Sequence, residues 1–369
     1  MTIAPQPFTD ADDLPQPREP VAHVRLKFSG DATGDEHPIH DLSACAGVDN
    51  TLFVAGDEAN GIERLHLRGD GTLAHHTRFP LCDFVKLRDP EEEMDIEGLA
   101  YADGWLWVTG SHSRTRPDPR HDGMVPDVID VNAFADLKDT RPRCVLARIP
   151  VIHDDDGLPR PVKKDGDRRA GLVKQKKKHG SKLARYLSKN PLLAPSTAMA
   201  AKEGGLDVEG IAVSGERVVL GLRGPVMQTF AVLVEPVIEP KKKGKLHLPG
   251  KPLLRLVDLN GLGVRDLLVK GDDLWILAGP TGDLDGRCAI FVWIDWGKDA
   301  PSGEDTVKLH RPLRLFDIPI KLNADHPEGI AFWTDDAGQE RLLVVYDTPN
   351  VARVDEAEGT ILADLFATD

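Results

Sequence analysis

The chain repeats itself, and the repeat constrains its fold more than any other feature. Asp41–Gly56 aligns without a gap on Asp95–Gly110, and Asp207–Gly221 aligns on that second copy in the same way. Val264–Gly279 gives a fourth copy when laid on the second at an offset of 169. His326–Phe332 with Leu342–Asp347 gives a fifth, with a longer turn. Each copy reads as strand, tight polar turn, strand, with turns at Asp49-Asn50, Asp103-Gly104, Gly215-Glu216 and Gly271-Asp272. A third strand follows each pair: Ile62–Leu67, Cys144–Ile149, Ala231–Val234, Ala289–Trp293 and Val351–Val354. Antiparallel units recurring at this spacing specify an all-β protein, a β-propeller of five blades. A sixth blade would have to hide in the doubled interval between the second and third copies. An eight-stranded sandwich is the structural alternative.

Composition agrees with a folded all-β chain. Of 369 residues, 41% are hydrophobic and 29% charged, and 34 glycines and 28 prolines punctuate short β-rich runs. That pattern argues against a doubly wound nucleotide fold. No apolar run is long enough to span a bilayer, so no membrane insertion is expected. The four cysteines lie far apart, and Met1 to Pro20 is acidic and proline-rich without an apolar core, so a cytoplasmic protein is expected. Residues 1–20 read as a flexible segment and 21–369 as one propeller domain, with insertions at about 115–142 and 152–204.

The net charge of −14 disfavours nucleic acid as the main partner, with one local exception. Residues 163–189 hold 11 Lys and Arg against two Asp, and Ala170 to Leu187 carries apolar residues partly at helical spacing. This lysine-rich, partly helical insertion reads either as an arm for nucleic acid or another anionic surface, or as a solvated segment drawn to the acidic body. Lys241, Lys242, Lys243 and Lys245 mark an exposed hairpin.

The repeat also names equivalent positions. Two residues into each copy stand Ser43, Glu97, Glu209, Asp266 and Glu328. The second strands end at Asp57-Glu58, Ser111-His112, Arg223, Pro280-Thr281 and Asp347. Antiparallel pairing brings both sets to one mouth of a central channel. Carboxylates crowded there raise one another's pKa unless a cation compensates. Glu97, Glu209, Asp266 and Glu328 form a hard-oxygen set for a divalent cation, calcium first and magnesium or manganese next. Arg223 and Arg265 would hold a small anionic ligand, His112 would serve as acid or base, and Asp57, Glu58, Ser111, Thr281, His326 and Asp347 would line the pocket. The competing reading is structural: Glu-Gly at the strand entrance hydrogen-bonds the backbone of the neighbouring blade and pairs with arginine, locking the strands. Asp41, Asp95 and Asp207 read as caps of the incoming loops. Trp105, Trp107, Trp275 and Trp293 read as core, and Ser111 beside His112 keeps a minor reading as a nucleophile.

The strings Met94–Ala100, Trp107–His112, Gly205–Ala212, Gly221–Pro225, Ala278–Gly286 and His326–Ala331 together resemble a bacterial family catalogued as a domain of unknown function. The resemblance runs from about Asp41 to Arg353 and leaves the lysine-rich insertion as this chain's own feature. It implies a propeller-like fold and brings no activity. More distantly, the Glu-Gly start of an inner strand is similar to gluconolactonase/regucalcin propellers and phytase-like esterase propellers. In the former such a glutamate ligates an axial divalent metal, which carries over onto Glu97, Glu209 and Glu328. Leu99, Ile211 and Ile330 stand where the regucalcin-type sequence has proline. Two functions follow. One is a metal-dependent hydrolase of an ester, lactone or phosphoester, and the other a non-catalytic platform that recruits a protein partner.

Overall fold

The computed structural model describes residues 16–30, 37–56, 60–117, 128–178, 180–282, 284–299 and 307–368. Asp57, Glu58 and the N-terminal segment through residue 15 lie outside them.

Short strands ended by tight turns favour hairpins, and the described strands fall into five four-stranded antiparallel units. Unit one is Leu42–Val48, Thr51–Gly56, Gly61–Leu67 and Leu73–Pro80. Unit two is Ile96–Ala102, Trp105–Gly110, Leu146–His153 and Gly171–Val173. Unit three is Asp207–Ser214, Arg217–Gly224, Phe230–Glu235 and Leu253–Asp258. Unit four is Gly263–Lys270, Asp273–Gly279, Cys288–Trp293 and Leu313–Ile318. Unit five is His326–Thr334, Glu340–Asp347 and Thr360–Ala367, completed by Ala22–Lys27 from the other end of the chain. The first strands neighbour one another in order, and the fifth returns to the first. The fold is a β-propeller, and the pairing of Ala22–Lys27 on Thr360–Ala367 ties the two ends of the ring together.

The core lies between units. Because side chains alternate across a strand, Leu52 and Val54 pack toward unit five while Phe53 and Ala55 pack toward unit two. Every adjacent pair of units shares such an apolar cluster. Sheets buried on both faces need apolar residues at nearly every strand position, as in the fully buried Thr51–Gly56. The axis is thereby left to the polar starts of the inner strands.

Two expectations are corrected. The stretch 170–187 is not one helix: Gly171–Val173 joins unit two, Gln175–Lys176 pairs with Gly180–Ser181, and only Lys182–Leu187 is helical. Gly180, at φ 70°, turns the chain, and the Ser181 side chain accepts from the Ala184 N–H to start the helix there. The third strand of unit five is Thr360–Ala367, not Val351–Val354, because the long-range partner Ala22–Lys27 selects it. The doubled interval holds no further four-stranded unit among the described residues. The lysine hairpin is present, as Glu239–Lys241 with Lys245–His247, and it pairs onto the edge of unit two.

Candidate functional site

Each inner strand carries one extra residue near its start. The ladder passes over Ser43 in unit one, Glu97 in unit two, Arg265 in unit four and Glu328 in unit five. In unit three Glu209 and Gly210 together stand opposite Gly221. The fourth repeat is therefore displaced by one residue from the sequence alignment: Arg265, not Asp266, holds the position of Glu97, Glu209 and Glu328. Counting back from the turns gives the same answer, since Gly271 follows Arg265 as Asp103 follows Glu97. Glycine beside the bulge lets inner strands touch. Gly210 sits at φ 97°, and a Cβ there would stand 2.7 Å from the Asp266 Cα.

Asp266 acts as a staple between units instead. Its Oδ1 accepts from Leu267 N at 2.7 Å and its Oδ2 from Ile330 N at 2.8 Å, which joins unit four to unit five. Burial pushes its carboxyl well above the usual range, against the pull of those two N–H groups. Ser43 does a similar job, donating to the carbonyl of Ile96 in the next unit at 2.7 Å.

The remaining charges form one buried network. Arg265 places Nε 3.0 Å from Glu209 Oε2 and pairs through Nη2 with Glu328. Arg223 places Nε 2.9 Å from Glu209 Oε1 and Nη2 2.5 Å from Asp207. Arg143, which sequence reading did not single out, puts Nη1 2.9 Å from Asp95 and Nη2 on Glu93. Asp95 and Asp207 are thus ion-pair partners at the axis, not loop caps. Burial works against the charge of Arg143, but Asp95, Glu93, Glu97 and Asp207 outweigh it and hold its pKa up. Carboxylates outnumber arginines here, and burial acts on them. Burial lifts Glu209 to about 7 despite Arg223 and Arg265, and lifts Asp95 despite Arg143.

A family model described as a protein of unknown function (DUF3616) matches residues 41–364. The chain belongs to the DUF3616 family. No curated protein sequence matches it. Among solved structures it is similar to a glutaminyl cyclase from Myxococcus xanthus, at 10% identity and a TM-score of 0.38, over 95% of this chain and 100% of that one. It is also similar to an α-L-arabinofuranosidase from Podospora anserina, at 10% identity and a TM-score of 0.40, over 96% and 98% of the two chains. A PQQ-bound aldose sugar dehydrogenase from Streptomyces coelicolor matches at 12% identity and a TM-score of 0.35, over 94% and 99%.

In this DUF3616 protein, Arg223, Arg265, His326, Glu328 and Asp347 line one surface cavity of about 170 Å³, together with Lys202. His326 Nε2 stands 3.2 Å from Asp285 and its Nδ1 4.0 Å from Asp347. Glu209 lies behind the two arginines, away from the cavity lining. Thr281 is half-buried at its rim, beside the lining residue Gly282. Ser111 and His112 are not part of it. The Ser111 hydroxyl meets Ser113 Oγ at 2.8 Å, while His112 Nδ1 contacts the Gly110 carbonyl at 2.9 Å and faces a separate cavity. Burial lowers the His112 pKa to about 4, so it is neutral and has no serine to activate.

The donor set at the axis does not fit a divalent cation. Both Glu209 oxygens face guanidinium groups, both Asp266 oxygens accept backbone N–H groups, and Arg265 itself occupies a ring position. Among the described residues no three His, Cys, Asp or Glu side chains are grouped to hold a metal ion. No described helix is long and apolar enough to cross a membrane.

Proposed function

We propose that the axial cavity binds a small anion, held by Arg265 and Arg223, and hydrolyses an ester, lactone or phosphoester bond in it. The observation that carries this reading is that both arginines, already joined through Glu209, also line a cavity that contains a histidine between two carboxylates. Their side chains are 13% and 8% exposed, so the guanidinium edges reach the cavity while their positions are fixed from behind. Asp285 fixes His326 through Nε2 and is itself held by the Asn323 N–H at 2.7 Å. Nδ1 then faces Asp347 across 4.0 Å and takes the proton of a water that attacks the ester, lactone or phosphoester, and His326 returns that proton to the oxygen that leaves as the bond breaks.

Calorimetric titration with phosphate and acetate, and turnover of the anionic substrates mono-p-nitrophenyl succinate, p-nitrophenyl phosphate and a phosphorylated gluconolactone, test the reading. It expects one anion site per chain, weakened in Arg223→Lys, and a hydrolysis rate lost in His326→Gln with anion binding retained. A protein that binds no anion and hydrolyses none of these substrates refutes it.

A further inference from the structure

A second cationic cavity lies at the outer edge of unit two, remote in function from the axis. Arg148 begins it. This residue pairs with Trp107 across the Trp105–Gly110 ladder and with Gly171 on its other side. Its guanidinium carbon stands 4.0 Å from the Trp105 ring centroid and 5.5 Å from that of Trp107. It is half-buried and makes no ion pair among the described residues, and its Nε is buried without a hydrogen-bond partner. Burial lowers its pKa. Its stacked guanidinium thus has room for an anion as hydrogen-bond partner.

The surroundings add charge of the same sign. The cavity measures about 340 Å³ and is lined by Arg168 and Arg169 from the basic insertion and by Lys241, Lys242 and Lys243 from the hairpin. That hairpin leaves unit three and crosses to unit two, where Leu172 pairs with Lys245 and the Leu172 N–H donates to the Gly244 carbonyl at 3.2 Å. Two separate insertions of the sequence thus converge on one arginine. Asp165 holds Arg168 at 3.0 Å through its Nε and Glu239 holds Lys241 at 2.7 Å, while Asp167 is the one acid on the described lining. The positive excess survives these pairs.

We propose that this cavity binds an oligophosphate, a ligand with two or three linked phosphate groups. The planar fork of Arg148 suits one phosphate bidentately, and the hairpin lysines suit the next as flexible point charges. Single-stranded nucleic acid fits less well, since stacking needs an open aromatic face and the Trp105 ring is taken up by Arg148 and Arg168, the latter 5.9 Å from its centroid.

Calorimetry of the full chain with sodium tripolyphosphate at low and high salt tests this directly. One site per chain is expected, weakening as salt rises, with quenching or enhancement of tryptophan fluorescence on binding. Arg148→Met, which keeps the stacking volume, should weaken binding at least about tenfold. The paired change Lys242→Gln and Lys243→Gln, at exposed positions of the hairpin turn, should weaken it too, and Lys298→Gln in unit four should not. Absence of tripolyphosphate binding, or binding that neither Arg148→Met nor the lysine pair alters, overturns the proposal. A single-stranded RNA oligomer that binds more tightly than tripolyphosphate overturns it in favour of a nucleic-acid surface.

Discussion

Arg265 Nε lies 3.0 Å from Glu209 Oε2, and through this pair unit four supplies the cation that the inner ring of carboxylates requires. Glu328 completes the arrangement on the other side of the same guanidinium. Removing one partner of a buried pair leaves an uncompensated charge. Arg265→Met should therefore lower stability by about 3–5 kcal/mol in urea unfolding. A loss below about 1 kcal/mol would mean that Glu209 and Glu328 find other partners.

Glu209 gives the stability a specific pH dependence. Its folded pKa is raised from 4.5 to about 7, so the folded protein keeps a proton that the unfolded chain releases. Stability from this group is full below pH 4.5 and is lost as pH rises through about 7, roughly 3 kcal/mol in all. The difference in unfolding free energy between the wild type and Glu209→Gln, followed from pH 5 to pH 8, should shift steadily against the wild type. A pH-independent difference would contradict the placement of Glu209.

His112 works in the opposite direction. Burial depresses its pKa from 6.5 to about 4, so the folded state favours the neutral ring. The stability it supports is full above pH 6.5 and falls as pH drops toward 4. His112→Gln should remove this acid-side loss while leaving anion binding at the axial cavity unchanged. A histidine NMR titration with a midpoint near 6.5 for His112 would refute the burial argument.

Asp266 and Gly210 test the structural reading of the inner strands. Asp266→Asn turns one N–H acceptor into a donor facing a backbone N–H, and should cost about 1–3 kcal/mol without affecting ligand binding. Gly210→Ala places a Cβ 2.7 Å from the Asp266 Cα at a positive φ, and should cost about 3 kcal/mol or more. Thermal melting of both variants checks these values.

The propeller was legible because each hairpin turn and each inner strand is written locally. The axial site was legible only in part. Glu97, Glu209, Glu328, Arg223 and the convergence of His326 and Asp347 on one cavity follow from strand geometry. The fourth copy is out by a single residue in the sequence alignment because its apolar runs, Leu267–Val269 and Leu274–Leu277, fit the repeat in either frame, and a one-residue slip exchanges the faces of a strand. Only the turn at Gly271 fixes the frame. Arg143 reaches Asp95 from a 3₁₀ turn, Arg141–Arg143, beyond the end of the second strand, so no repeat position announces it. The fourth strand of unit five comes from the opposite end of the chain, a pairing that local pattern does not encode.

Thermal melting of the wild-type protein with and without millimolar calcium, magnesium or manganese tests the central claim most directly. If Arg265 is the cation of the ring, the melting temperature stays the same with each metal after correction for ionic strength, because ligands bound only by the folded state are what raise it. A rise of several degrees with any one metal, abolished in Glu209→Gln, would show that a divalent ion and not Arg265 neutralises the axis.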